Sequence, residues 1–202
     1  MSRLVVATTN RGKLREISRL LAGAPVELLT LSDFPEIAAP AETGRSFAEN
    51  ARLKAFYYAR HTGEPTVAED SGLEIDALDG APGIESARFG GEQSTYAEKF
   101  ALIYDALRAQ RAASSALRAS EATSRFVCAL ALVRNGEVVF ETRGTVEGEI
   151  APEPRGTGGF GYDPIFYYPP FGCTLAEAGD RKAEVSHRAK AFRTLAEYLT
   201  SR

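Results

Sequence analysis

Apolar residues recur along this chain with two spacings, and the alternation between them predicts the elements. The run "LVVA" predicts a strand over residues 4–8. The polar turn "TTNRGK" follows, and the period then lengthens. Leu14, Ile17, Leu20 and Leu21 share one face of a helix predicted over residues 12–22, with Gly23 just past its end. A short strand is predicted near 26–30, and "PEIAAPAETGR", residues 35–45, reads as loop. Ser46 and Glu49 form a capping-box pattern that opens a helix to about Arg60, closed by Gly63 and Pro65. "TVAED" predicts a strand that ends at a turn through Ser71 and Gly72, and "GLEIDAL" either continues it or pairs back. After the glycine-rich "GAPGIESARFGGE", a second capping box in "TYAE" starts a helix through about Ala109. The Ala- and Ser-rich stretch 112–124 reads as an excursion or a helix extension.

The clearest hairpin is 125–150, where two alternating runs flank Asn135-Gly136, the strongest short-range hairpin signal. Residues 151–164 read as loop, 165–168 as a strand and 174–178 as a short helix. "SHRAKAFRTLAEYL" is a terminal helix with Ala189, Phe192, Leu195, Ala196 and Leu199 inward. Interspersed helices and strands with an antiparallel hairpin predict an α/β fold on a mixed sheet with flanking helices. Neither a repeat nor a linker divides it, so residues 1–202 read as a single domain with room for two lobes.

Composition narrows the class. The chain is 44% hydrophobic and 25% charged, ordinary for a globular domain. With a net charge of −3, no global basic field recruits nucleic acid, so a polyanionic substrate needs a local cluster of Lys and Arg. The first apolar run breaks at Thr8, too short for a signal peptide, and no apolar stretch reaches the length of a membrane span. Cys128 and Cys173 form neither a metal-spacing pattern nor a disulfide framework. Cys128, inside "FVCALALV", reads as a buried reduced thiol. The expectation is a cytoplasmic protein that uses neither nucleic acid nor membrane.

Candidate chemistry begins at "TTNRGK". A strand, a polar turn and a helix start together offer backbone N–H groups and a partly positive helix end to an anion, with Lys13 adding a full charge. The alternative is that Gly12 only shapes the turn. It is not a Walker A loop, because the residue after Lys13 is Leu14 rather than Ser or Thr. In "AEDSGL", Glu69 and Asp70 point to opposite faces of a strand, so they are not a simple acid–base pair. Asp70 before a turn is suited to a metal or base role, or to turn formation alone. Glu42 lies in the loop, and Asn50 and Lys54 share a helix face with Phe47.

"GTGGFGYDP" contains the letters G-x-G-x-x-G, but a strand follows rather than a helix, which rejects a dinucleotide fingerprint. Its glycines instead suit close approach to a planar or charged ligand, with Phe160 and Tyr162 available to stack. In "KAEVSHR", Ser186 reads as an N-cap that leaves His187 and Arg188 in a first turn, where their charge opposes the dipole. Cationic stretches around a glycine loop, with carboxylates suited to Mg²⁺, describe a phosphoryl site.

"TTNRGK", "SFAENARLKA", "EDSGL", "GAPGIESARF", "GTGGFGYDPIF" and "SHR", in this order and spacing, resemble the inosine triphosphate pyrophosphatase family from about residue 4 to 199. The resemblance implies a mixed α/β fold with a long central sheet, two lobes and a nucleotide cleft between them. It implies a homodimer, dependence on Mg²⁺, and hydrolysis of ITP, dITP and XTP to the monophosphate and pyrophosphate. Carried over by position, Thr8, Thr9, Asn10, Arg11, Gly12 and Lys13 match the phosphate turn. Asp70 matches the general base and a metal ligand, and Glu42 a carboxylate tied to Mg²⁺. Lys54 and Ser71 match substrate contacts, as do Phe160, Gly161, Tyr162 and Asp163 in the base-binding loop, and Lys182, His187 and Arg188. One departure stands out: such members commonly carry two aspartates before Ser-Gly, and here the first is Glu69. The competing readings are a septum-formation-type pyrophosphatase acting on other modified nucleotides, and a nucleotide sensor without catalysis.

Overall fold

The computed structural model describes residues 2–113 and 122–201. In chain order its elements are β1 (Ser2–Val6), α1 (Arg11–Leu20), β2 (Val26–Thr30), α2 (Phe47–Thr62), β3 (Thr66–Ile75), α3 (Tyr96–Ala113), β4 (Thr123–Arg134) and β5 (Glu137–Ile150), followed by β6 (Phe166–Tyr168), β7 (Cys173–Thr174), α4 (Lys182–Val185) and α5 (His187–Thr200). Among the described residues one sheet runs in the order β2-β1-β3-β4-β5-β6-β7. β1 pairs in parallel with β2 and β3, whereas β6 pairs antiparallel with β5 and β7, so the sheet is mixed as the sequence predicts. Asn135 and Gly136, between β4 and β5, both have positive φ, at 52° and 77°. That is the type I′ geometry whose twist suits a hairpin. No described helix is long and apolar enough to cross a membrane.

The chain divides into two compact units. The first comprises Met1–Ser71, Val127–Thr145 and Ser186–Arg202; the second comprises Gly72–Phe126 and Val146–Val185. Each has its own core. In the first, Leu4 and Val6 of β1, Val67 of β3 and Leu130 and Leu132 of β4 meet Ile17 and Leu21 and the inner face of α5 at Phe192, Leu195 and Leu199. In the second, Leu73 and Ile75 of β3 meet Phe100, Ile103 and Leu107 of α3, with Phe126, Tyr162 and Phe166.

Capping fixes where the helices begin. Ser46 Oγ accepts from Glu49 N (3.2 Å), while the Glu49 carboxylate reaches Arg45 N (2.7 Å). Thr95 and Glu98 exchange reciprocal bonds at the start of α3.

Two sequence expectations change. β3 does not turn at Ser71-Gly72; of the two alternatives for "GLEIDAL", continuation holds, and the strand runs on to Ile75. Gly72 is needed there for proximity: a Cβ would collide with Ser86 Oγ and the carbonyl of Gly83, and Ser86 Oγ accepts from Leu73 N (2.9 Å). The helix expected at 174–178 is a single turn instead. The Glu177 carboxylate takes Thr174 N (2.8 Å), and Gly179, at φ +58°, prevents continuation. Of the stretch 112–124, the first residues extend α3 and the last open β4; 114–121 lie outside the described residues.

Candidate active site

The turn before α1 closes its own helix end. Asn10 is the N-cap, and its side-chain oxygen accepts from Gly12 N (2.9 Å) and Lys13 N (3.1 Å). Asn10 N in turn donates to Thr8 Oγ1 (3.2 Å). Two of the donors that the sequence offers to an anion are therefore already satisfied within the turn. Thr9 and Arg11 remain exposed.

Lys13 points to β3, where Glu69 and Asp70 fall on opposite faces, as strand alternation requires. Glu69 Oε1 lies 3.0 Å from Lys13 Nζ and 3.2 Å from Arg188 Nε. Arg188, only 1% exposed, also donates to Glu16 (2.7 Å) and to Ser71 Oγ (2.9 Å). Its charge, which the sequence leaves opposed to the α5 dipole, is thus met by two carboxylates. Burial pushes the Glu69 carboxyl up, but Lys13, Arg188 and Lys54 outweigh it and hold it well below the usual carboxylate range. Burial also raises the Cys128 thiol, reinforced by Glu69 at 3.6 Å, so this cysteine stays protonated. His187 is buried at the start of α5, behind the cap that Ser186 Oγ makes to Ala189 N (3.2 Å).

On the other face, Asp70 Oδ1 accepts from Lys54 Nζ (3.1 Å) and Oδ2 from Asn50 Nδ2 (3.1 Å). Lys54 Nζ also donates to Glu42 Oε1 at 2.7 Å. The lysine does not snorkel to water; it joins the two carboxylates. Burial acts against its charge, yet Asp70 and Glu42 outweigh burial and raise its pKa. Asp70 itself is raised, first by burial and then by Glu42, against the pull of Lys54.

Glu42 and Asp70 are the carboxylates here that could hold a hard divalent cation. Two carboxylate oxygens already converge on one positive centre, the Lys54 ammonium, which stands in for a cation. Among the described residues no group of three or more His, Cys, Asp or Glu could hold a metal. Two protein carboxylates completed by water and substrate phosphates are a usual Mg²⁺ environment.

The glycine loop of the second unit is organised by Asp163, which is 2% exposed. Its Oδ2 accepts from Phe160 N (2.8 Å) and Lys182 Nζ (2.7 Å). Lys182 Nζ sits 4.7 Å from the Phe160 ring centroid, a cation–π contact. Gly159 takes φ +70°, and a Cβ there would strike Asp163 Oδ2. The glycines at 156 and 158 serve a different approach from the one the sequence suggests. A Cβ on either would strike the backbone at 176–177, and Gly158 N donates to Ala176 O (3.1 Å). The loop thus packs on its own chain. Tyr162 is corrected too. Its ring is not available to stack, because it is 4% exposed, packed edge-on to Tyr96, and donates its hydroxyl to Ser86 O (2.8 Å). Only its backbone and that of Gly161 remain for a ligand.

The structure therefore gathers Lys13, Glu42, Lys54, Asp70, Ser71 and Arg188 in the first unit, and Phe160, Asp163 and Lys182 in the second. Sequence reasoning missed Glu16 entirely. It sits on α1 among polar positions and carries no local signal for a partner 172 residues away.

The profile of the Ham1 family matches residues 4–198. A dITP/XTP pyrophosphatase of Geobacillus kaustophilus is 45% identical over 198 residues, covering 98% of this chain and 94% of the relative. One of Geobacter sulfurreducens is 44% identical over 200 residues, covering 98% and 97%. The solved structure of a HAM1 protein from Coxiella burnetii superposes with a TM-score of 0.90 at 38% identity, covering 100% of both chains. The fold, the ordered motifs and this agreement along nearly the whole length lead to one conclusion: the chain belongs to the Ham1 family.

Proposed function

We propose that this chain is a nucleoside triphosphate pyrophosphohydrolase that removes non-canonical purine nucleotides, ITP, dITP and XTP, as monophosphate and pyrophosphate. The observation that carries the reading is the partly buried Glu42–Lys54–Asp70 cluster, two carboxylates converging on one cation beside the Lys13 turn. The names of the relatives, dITP/XTP pyrophosphatases, support the substrate class.

Asp70 acts as general base, taking a proton from the water that attacks the α-phosphorus. The bond from that phosphorus to the bridging oxygen breaks, and pyrophosphate leaves with the electron pair. Thr8, Thr9, Arg11 and Lys13 hold the phosphates, with Asn10 and Gly12 shaping their turn. Glu42 and Asp70 would hold Mg²⁺, which would supply neutralisation of phosphate charge. Lys54, bonded to both carboxylates, contacts substrate. Ser71 contacts substrate. Arg188, enclosed by Glu69, Glu16 and Ser71, holds Ser71 and the Glu69 carboxylate that pairs with Lys13. Phe160 stacks on the purine, Gly161, Tyr162 and Asp163 frame it through backbone and loop geometry, and Lys182 and His187 complete the contacts. The enzyme works as a homodimer in the cytoplasm.

A panel of nucleoside triphosphates with Mg²⁺, assayed for pyrophosphate and monophosphate, tests the class. Turnover confined to methylated or pyrimidine nucleotides would favour the septum-formation type, and binding without turnover a sensor. In ¹⁸O water the label should enter the monophosphate; label only in orthophosphate would overturn the bond assignment. Asp70→Asn should lower kcat by at least about 10²-fold, the low end for a general base, while nucleotide still binds.

A further inference from the structure

Asn50 stands outside every role assigned so far, yet it touches Asp70. It lies on α2 one turn before Lys54 and is 0% exposed. Its Oδ1 accepts from Gly44 N at 2.8 Å, and its Nδ2 donates to Asp70 Oδ2 at 3.1 Å. The first bond fixes the second. A backbone N–H can only donate, so the atom facing Gly44 must be the amide oxygen, and the NH₂ must face Asp70. The loop approaches closely enough for this only because residue 44 is glycine: a Cβ there would sit 2.6 Å from Asn50 Oδ1 and 2.8 Å from Glu49 Cβ.

From this geometry we propose that Asn50 is a positioning residue for catalysis. It holds the Asp70 carboxylate in its reactive orientation and ties the loop that carries Glu42 to the same point. Asp70 has one oxygen on Lys54 and the other on Asn50. Lys54 is shared with Glu42 and contacts substrate, so Asn50 is the contact that keeps the carboxylate from rotating. Gly44 is two residues from Glu42, so the same amide sets the spacing of the two acids. A purely structural residue at a helix start would need only the Gly44 bond; the second bond, buried and aimed at the base, is what the structural role leaves unexplained. The proposal rests on the reading of Asp70 as the base.

The test uses the full-length protein. Asn50→Asp keeps the shape and the bond from Gly44 N but replaces the donor facing Asp70 with an acceptor. It should lower kcat on dITP about ten- to a hundredfold, the range of one hydrogen bond to a charged group, with KM within about twofold. In the Asp70→Asn background the same change should cost nothing further, because there is no base left to orient. An Asn50 acting only on the fold would lower the rate by the same factor in both backgrounds, which would overturn the proposal. If Asn50→Asp does not fold, Gly44→Ala displaces the amide from the loop side and should give the same split of kcat from KM; unchanged kcat in that folded variant would also overturn it. Should Asp70→Asn alone retain near-full activity, the base assignment fails. Should Asp70→Asn collapse while Asn50→Asp does not, only the role of Asn50 fails.

Discussion

Gly144 offers a test of how α5 is seated. It lies in β5, and its backbone is not left-handed, so its reason for being glycine is space. A Cβ built there would lie far inside the 3.0 Å below which real Cβ atoms essentially never approach, against the carbonyl oxygen of His187; it would also meet Ala191 N at 2.9 Å and His187 C at 3.1 Å. All three atoms are helix backbone, so no side chain can swing aside. Gly144→Ala must push the first turn of α5 outward and loosen Ala191 and Phe192, both buried in the first core. Overpacking of this kind costs about 1–3 kcal/mol. For a chain of this length each kcal/mol lowers Tm by about 2–4 °C, which gives a fall of roughly 2–12 °C. The displaced turn carries His187 and Arg188, so kcat/KM should fall further than the folded fraction does. Gly23→Ala is the control: no atom lies within 4 Å of its Cβ, and removing a glycine there should leave stability unchanged or raise it by about 0.4–1 kcal/mol. Thermal melts by circular dichroism and initial rates on dITP measure both effects. A Gly144→Ala variant melting within about 1 °C of wild type, with full activity, would refute the seating described here.

Phe160→Ala should weaken ITP and ATP by a common factor of about two- to tenfold, since stacking recognises any purine face; kcat/KM for both substrates checks this, and a changed ratio would count against it. The Tyr104 hydroxyl, which donates to Ala151 O, is pushed up to about 12 by burial. Its folded pKa lies above its unfolded value of about 10, so its contribution to stability is fully present below pH 10 and is lost as pH rises toward 12. Denaturant melts across that window should therefore decline less steeply for Tyr104→Phe. In the native protein Cys128 should resist Ellman's reagent at pH 8 while the partly exposed Cys173 reacts, and denaturation should release the second thiol.

The legible parts of this molecule are those whose cause is local. The spacing of Leu14, Ile17 and Leu21 predicts α1 because a helix must bury one stripe, and Asn135-Gly136 predicts the hairpin because only such residues accept two positive φ values cheaply. The opposite facing of Glu69 and Asp70 follows from strand geometry alone. What sequence could not supply depends on distant partners. Gly72 reads as a turn, but it is glycine because Ser86 packs against it within the strand. Asn50 and Lys54 read as polar residues on an inward face; only the fold brings Asp70 to them. The glycine loop signals close approach, yet not that the approach is to residues 176–177.

The interleaving of the two units bears on how the polypeptide emerges from the ribosome. Every residue of the second unit, Gly72–Phe126 and Val146–Val185, is synthesised before Ser186. That unit can close its core while translation continues. The first unit cannot, because the inner face of α5 and the guanidinium of Arg188 come from the segment made afterwards. Until then Glu69 has only Lys13 and Lys54 to balance it in a half-built core, and the nascent first unit stays open to water. The first unit, which carries Glu42, Lys54 and Asp70, is therefore the one whose core waits for the end of synthesis.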